Sequence, residues 1–136
     1  MDEGKKIYGK ANLAEIVATI PPDPESEARH RAQILIKTDT IRVVVVSMVV
    51  GGELQEHSAP GPITIHSIDG AIEVDVEGER HLLEAGELIS LAPGVRHSVR
   101  CVKDGYFLLT IGVFLREPDP GGNRTDALSY DETFSR

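Results

Sequence analysis

The sequence predicts an all-β sandwich or barrel, and three observations carry that prediction. Short runs of alternating apolar and polar residues recur from residue 32 to 115, each stopped by Gly, Pro or Asp. Such spacing marks many short strands. Two further runs, 43–50 and 107–115, are apolar almost throughout, so both of their faces must find cover. Only one stretch, near the start, has helical periodicity.

That stretch is residues 12–20, where Leu13, Ile16, Val17 and Ile20 fall at helical spacing and Asn12 with Glu15 can form a capping box. Pro21-Pro22 ends it, because neither residue can donate an amide and each pushes its predecessor out of the α region. Residues 21–31 are polar and charged and read as a linker that lets the helix lie across the barrel, with His30 solvated. Residues 1–31 thus form an N-terminal helix and linker, 32–115 the barrel, and 116–136 a polar tail rich in turn formers.

Within the barrel segment Gln33, Leu35 and Lys37 alternate against Ile34 and Ile36. A turn at Thr38-Asp39 leads into the apolar run from 41 to 50, which Gly51-Gly52 stops. After Pro60-Gly61-Pro62 the run 63–68 places Ile63, Ile65 and Ser67 on one face and Thr64, His66 and Ile68 on the other. Asp69-Gly70 reads as a hairpin. Ile72, Val74 and Val76 then oppose Glu73 and Asp75, and Glu77-Gly78 turns the chain again. Lys103-Asp104-Gly105 predicts one more turn before the last apolar run. Counting these segments gives about eight to ten strands.

The length of 136 residues suits one domain with a core of its own. A single cysteine excludes an intrachain disulfide framework, and the acidic opening Met1-Asp2-Glu3 is unlike a secretory leader. No run reaches the roughly 18 apolar residues that span a bilayer. A cytoplasmic protein without membrane contact is expected. The net charge of −8 opposes phosphate-backbone contacts and so disfavours nucleic acid as a partner.

Residues 86–97, GELISLAPGVRH, carry the chemistry. Gly86 opens a short strand, Pro93-Gly94 closes it with a turn, and His97 begins the next strand with Val99 and Cys101 on its face. The stretch resembles the second motif of the cupin superfamily, with Gly86, Pro93, Gly94 and His97 in the motif's places. Upstream, Gly51-Gly52, His57 and Gly70 fit the first motif, but Ala59 stands where a second His belongs and Ile63 where the Glu belongs. The resemblance implies a double-stranded β-helix, or jelly-roll barrel, of the RmlC-like kind. It also implies a metal site reduced to His57 and His97.

Two imidazoles form a weak site, which by ligand type favours Zn, Cu or Ni. Glu53, four residues before His57, would share its face in a regular strand and supply the carboxylate of a two-His-one-carboxylate iron site. His66 would be a third nitrogen only if a bulge turned it inward. His81, on the face of Leu83, reads as a hydrogen-bonded core or surface residue. Without a metal, an imidazole lined by Ala59, Ile63, Ile65 and Val99 would be neutral and a proton acceptor. Such a pocket would hold a small, partly apolar organic molecule or an acid. Cys101 lacks a basic residue on its own face and reads as an inert buried thiol.

Two functions follow: a small-molecule-binding domain, or a metal-dependent cupin enzyme of the dioxygenase or isomerase type. The doubly apolar runs 43–50 and 107–115 further predict a homodimer, because one small barrel can take only one face of each into its own interior.

Overall fold

In the computed structural model the described residues are 4–113, and they form one short helix and seven strands. The helix α1 spans Leu13–Thr19 and is capped as expected, the Asn12 side chain accepting from the Glu15 amide at 3.1 Å. Ile20 closes it before the proline pair. Its apolar face packs only in part: Leu13, Ile16 and Val17 are half-buried, and Ile20 is buried.

The strands are β1 (His30–Lys37), β2 (Ile41–Met48), β3 (Glu53–His57), β4 (Ile63–Val76), β5 (Glu79–Glu84), β6 (Leu88–Leu91) and β7 (His97–Gly112). All pairings are antiparallel, in the order β1-β2-β7-β4-β5, with β3 added on β7 and β6 on β4. The long strands β4 and β7 run through both layers. Residues 63–69 of β4 and 105–112 of β7 join β1, β2 and β6; residues 71–76 and 97–103 join β3 and β5. This is the jelly-roll arrangement, in which two layers share strands and close on one core.

The strand count corrects the expectation of eight to ten. Asp69-Gly70 does not end a strand, nor does Lys103-Asp104-Gly105. Both segments lie inside long strands, opposite each other, where the β4–β7 register slips between Ser67 and Ile72. Bulges of this kind sharpen twist and turn a strand from one layer to the next. Glycine is required there for contact as much as for its dihedral. A Cβ on Gly105 would fall on the carbonyl oxygen of Asp69, and one on Gly70, at φ +77°, on the carbonyls of Lys103 and Asp104.

Alternation fills the interior with Val44, Val46 and Met48 of β2, Ile63, Ile65, Ile72 and Val74 of β4, and Val99, Cys101, Phe107, Leu109 and Ile111 of β7. Both faces of β2 are indeed covered, since Val45 and Ser47, which point away from that core, are also buried. Among the described residues no helix is long and apolar enough to cross a membrane. The tail expected at 116–136 lies outside the described residues.

Candidate functional site

The site is built where β3 ends and β7 begins. His57 and His97 are register partners across these two strands, so their side chains leave the same face. The rings lie 4.8 Å apart between centroids, tilted by 48°. His97 is 1% exposed and His57 half-buried, so the pair reaches from the core towards the rim. The rim is made by the loops 58–62 and 92–96, which the Gly94 amide ties together by donating to the Ala59 carbonyl at 2.8 Å.

Each ring is held the same way. His57 Nδ1 lies 2.6 Å from the carbonyl oxygen of Gln55, and His97 Nδ1 lies 3.1 Å from that of Val95. A carbonyl oxygen can only accept, so both Nδ1 atoms carry the proton and both Nε2 atoms are the acceptor nitrogens. Burial lowers the pKa of both imidazoles below the ordinary value. For His57 the bond to Gln55 opposes the shift, while His97 and then Arg96 add to it; for His97 the bond to Val95 opposes it. The pair is therefore neutral at physiological pH.

Along the inner face of the β3–β7–β4–β5 layer, the row across the pair reads His57, His97, Val76, Glu79, and the next reads Leu54, Val99, Val74, His81. Glu79 and His81 sit at the open β5 edge, 3.9 Å from each other. Ala59, Ile63, Ile65 and Val99, the aliphatic lining expected from the sequence, are all buried members of the core. Cys101 is also inside, its Sγ donating to the Lys103 carbonyl at 3.3 Å and its pKa raised by burial to about 11, an unreactive thiol.

The other proposed ligands lie elsewhere. Glu53 pairs with Arg100 rather than joining the histidines, because the β3–β7 register shifts between Leu54 and His57. The shift reverses parity, so Leu54 is buried and Glu53 is exposed on the outer face. There it lines a groove of about 250 Å³ with Glu73, Asp75, Arg80, Ser98 and Arg100. His66 pairs with Leu108 and Leu88 on the opposite face from Ile63 and Ile65, in a stretch of regular register. Among the described residues, no three His, Cys, Asp or Glu side chains come together in a metal-binding group. Sequence reasoning did not find the Glu56–Arg96 ion pair, 2.9 Å long, which joins the chain neighbours of the two histidines. Charges of opposite sign at the two positions were its only signal.

Fold and site together define a small antiparallel jelly-roll barrel with an imidazole pair at its rim. The family profile described as the cupin domain matches residues 44–112, and the chain belongs to that family. No curated protein matches it in sequence. Among solved structures it is similar to a conserved protein of unknown function from Streptococcus pyogenes, with 21% identity and a TM-score of 0.62, over 67% of this chain and 80% of that one. It is also similar to an RmlC-like cupin from Shewanella frigidimarina (21% identity, TM-score 0.61, 66% and 81% covered). A cupin 2 conserved barrel domain protein from Leptotrichia buccalis matches at 23% identity and a TM-score of 0.64, over 75% of this chain and 47% of that one. At these identities the likeness concerns the fold.

The full ligand set of the motif, with a His at position 59 and a Glu at position 63 beside His57 and His97, does not fit these residues. Ala59 and Ile63 offer no donor, and both are sealed in the core at 4% and 3% exposure. The carboxylate of Glu53 is on the wrong side of the sheet.

Proposed function

We propose that this chain is a small-molecule-binding cupin domain whose recognition point is the His57–His97 pair. One observation carries the reading: two neutral imidazoles, 4.8 Å apart and each pinned at Nδ1 by a backbone carbonyl, crown an aliphatic interior. Pinned rings are pre-organised, so little rotamer entropy is lost when a ligand meets them. A few placed polar groups in an apolar lining are the usual make-up of a ligand site. The metal-dependent enzyme is the weaker reading, because two nitrogens without a carboxylate make a poor centre for a catalytic ion.

The histidine ring Cε1–H signals in an NMR titration with small amphipathic compounds test this. At least one compound is expected to move both rings together and saturably, and His57→Ala to abolish the response. Zn, Ni or Cu added to chelator-stripped protein is expected to leave the melting temperature nearly unchanged. A site binding at a hundredfold excess over Kd would add about 2.7 kcal/mol. A rise of that size, lost in His57→Ala, would overturn the proposal in favour of the metal enzyme.

A further inference from the structure

The histidine pair lies behind a closed rim, one side of which is built in while the other is held by a few polar ties. His97 is 1% exposed and the Nε2 atom of His57 is buried, so a ligand can meet the rings only after part of the rim moves. The 58–62 loop is the built-in side. Ala59 is buried in the core, the Pro62 carbonyl accepts from the Gly112 amide at 2.8 Å, and a Cβ on Gly61 would fall on the Gly112 carbonyl oxygen. Pro60 and Pro62 restrict its backbone further. The 92–96 turn is different. Ala92, Pro93, Gly94 and Arg96 are exposed, and Val95 is half-buried against the core. Two ties cross the rim: the Gly94 amide to the Ala59 carbonyl at 2.8 Å, and the Arg96 guanidinium to Glu56 at 2.9 Å, a pair whose side chains are 61% and 54% exposed. The Glu77 amide, donating to the Arg96 carbonyl at 3.2 Å, holds the base of the turn.

From this arrangement we infer that the 92–96 turn is a gate over the His57–His97 pair, with Val95 as its plug and Glu56–Arg96 as its latch. The step rests on the binding reading above and says how a ligand enters. Opening parts the ties to Ala59 and Glu56 and lifts Val95, while the strands stay paired because the turn joins β6 at Leu91 and β7 at His97. Local openings draw on segments with little buried apolar surface and exposed hydrogen bonds, and this turn buries part of one small side chain. An ion pair between exposed side chains is weak and screened by salt, which suits a latch that must release. The Val95 carbonyl also accepts from His97 Nδ1. Lifting Val95 withdraws that carbonyl, so entry and the setting of the His97 ring are one event.

The test uses the full chain and no ligand, so that its failure and a failure of the binding reading are told apart. Hydrogen exchange of the Gly94 amide reports opening of the turn. The rate at which diethyl pyrocarbonate acylates His57 and His97, read by mass spectrometry of their peptides, reports access to the rings, with His81, whose side chain is 39% exposed, as the internal reference. Gly94 is expected to exchange faster than amides at the centre of β7, as a turn that opens without global unfolding must. Arg96→Ala and Glu56→Gln should each speed both rates by about two- to fivefold, the range an exposed ion pair contributes, and leave His81 unchanged. About 1 M salt should bring the parent's rates to those of the variants and leave the variants' rates where they were. Exchange of Gly94 no faster than the centre of β7, or ring acylation indifferent to both variants, would overturn the gate, and the binding reading would still be decided by the ring titration.

Discussion

His57 and His97 are where the stability of the fold meets pH. Burial holds both pKa values below those of an exposed imidazole, so over this range the unfolded chain binds more protons than the folded one. Stability then rises with pH while that difference lasts. In direction, the contribution is complete above the ordinary histidine value near 6.5 and is lost as pH falls from there through the lowered folded values. The expected outcome is a melting temperature that drops from about pH 7 to 5, with a shallower slope in His57→Ala. An unchanged slope in that variant would show that His57 is not desolvated in solution. Parity also explains which residues were legible: His66 lies in a regular stretch of β4 and faces as its position in the sequence says. Glu53 lies across a register shift that no residue type announces, and so the same rule misplaced it.

At the scale of elements, the helix, its cap and the alternating strands could be read from spacing, because each depends on residues within a turn or two. The corner of the barrel could not. Asp69-Gly70 and Lys103-Asp104-Gly105 have the composition of turns, and local chemistry does not distinguish a turn that reverses a strand from a bulge that bends it. The difference lies in the partner: the two glycine segments face one another across β4 and β7, and each removes a side chain from the other's path. Gly105→Ala is therefore expected to cost about 2–4 kcal/mol, since its Cβ would meet the Asp69 carbonyl and backbone must move to admit it. Gly94→Ala is the control. It lies in a real turn at φ +80° with open space around its Cβ, and should cost about 1 kcal/mol from its dihedral alone. Chemical denaturation of the two variants checks this, and equal costs would mean that the corner is not closely packed.

On the scale of the whole molecule, the barrel could be read from the many short strands and the two motifs, while the pairing of the two apolar runs, β2 on β7, is seen only in the structure. What covers their outer face bears on assembly. Val45 and Ser47 are already buried within one chain, so the case for a dimer moves from β2 towards β4 and β6. There the outer row continues through Leu108 and His66, both half-buried, to Leu88, which is 58% exposed. The row carries one imidazole and no fixed charge beyond Val45, in a chain whose net charge of −8 would otherwise keep copies apart. Burying such side chains at roughly 25 cal/mol per Å² favours a twofold contact in which the same row meets itself. A homodimer through this face is the expected state, and Leu88→Glu should dissolve it by placing like charges face to face across the axis. Light scattering at micromolar concentration decides the matter: a dimeric mass for the parent chain that halves in Leu88→Glu supports the face, and a monomeric parent removes it.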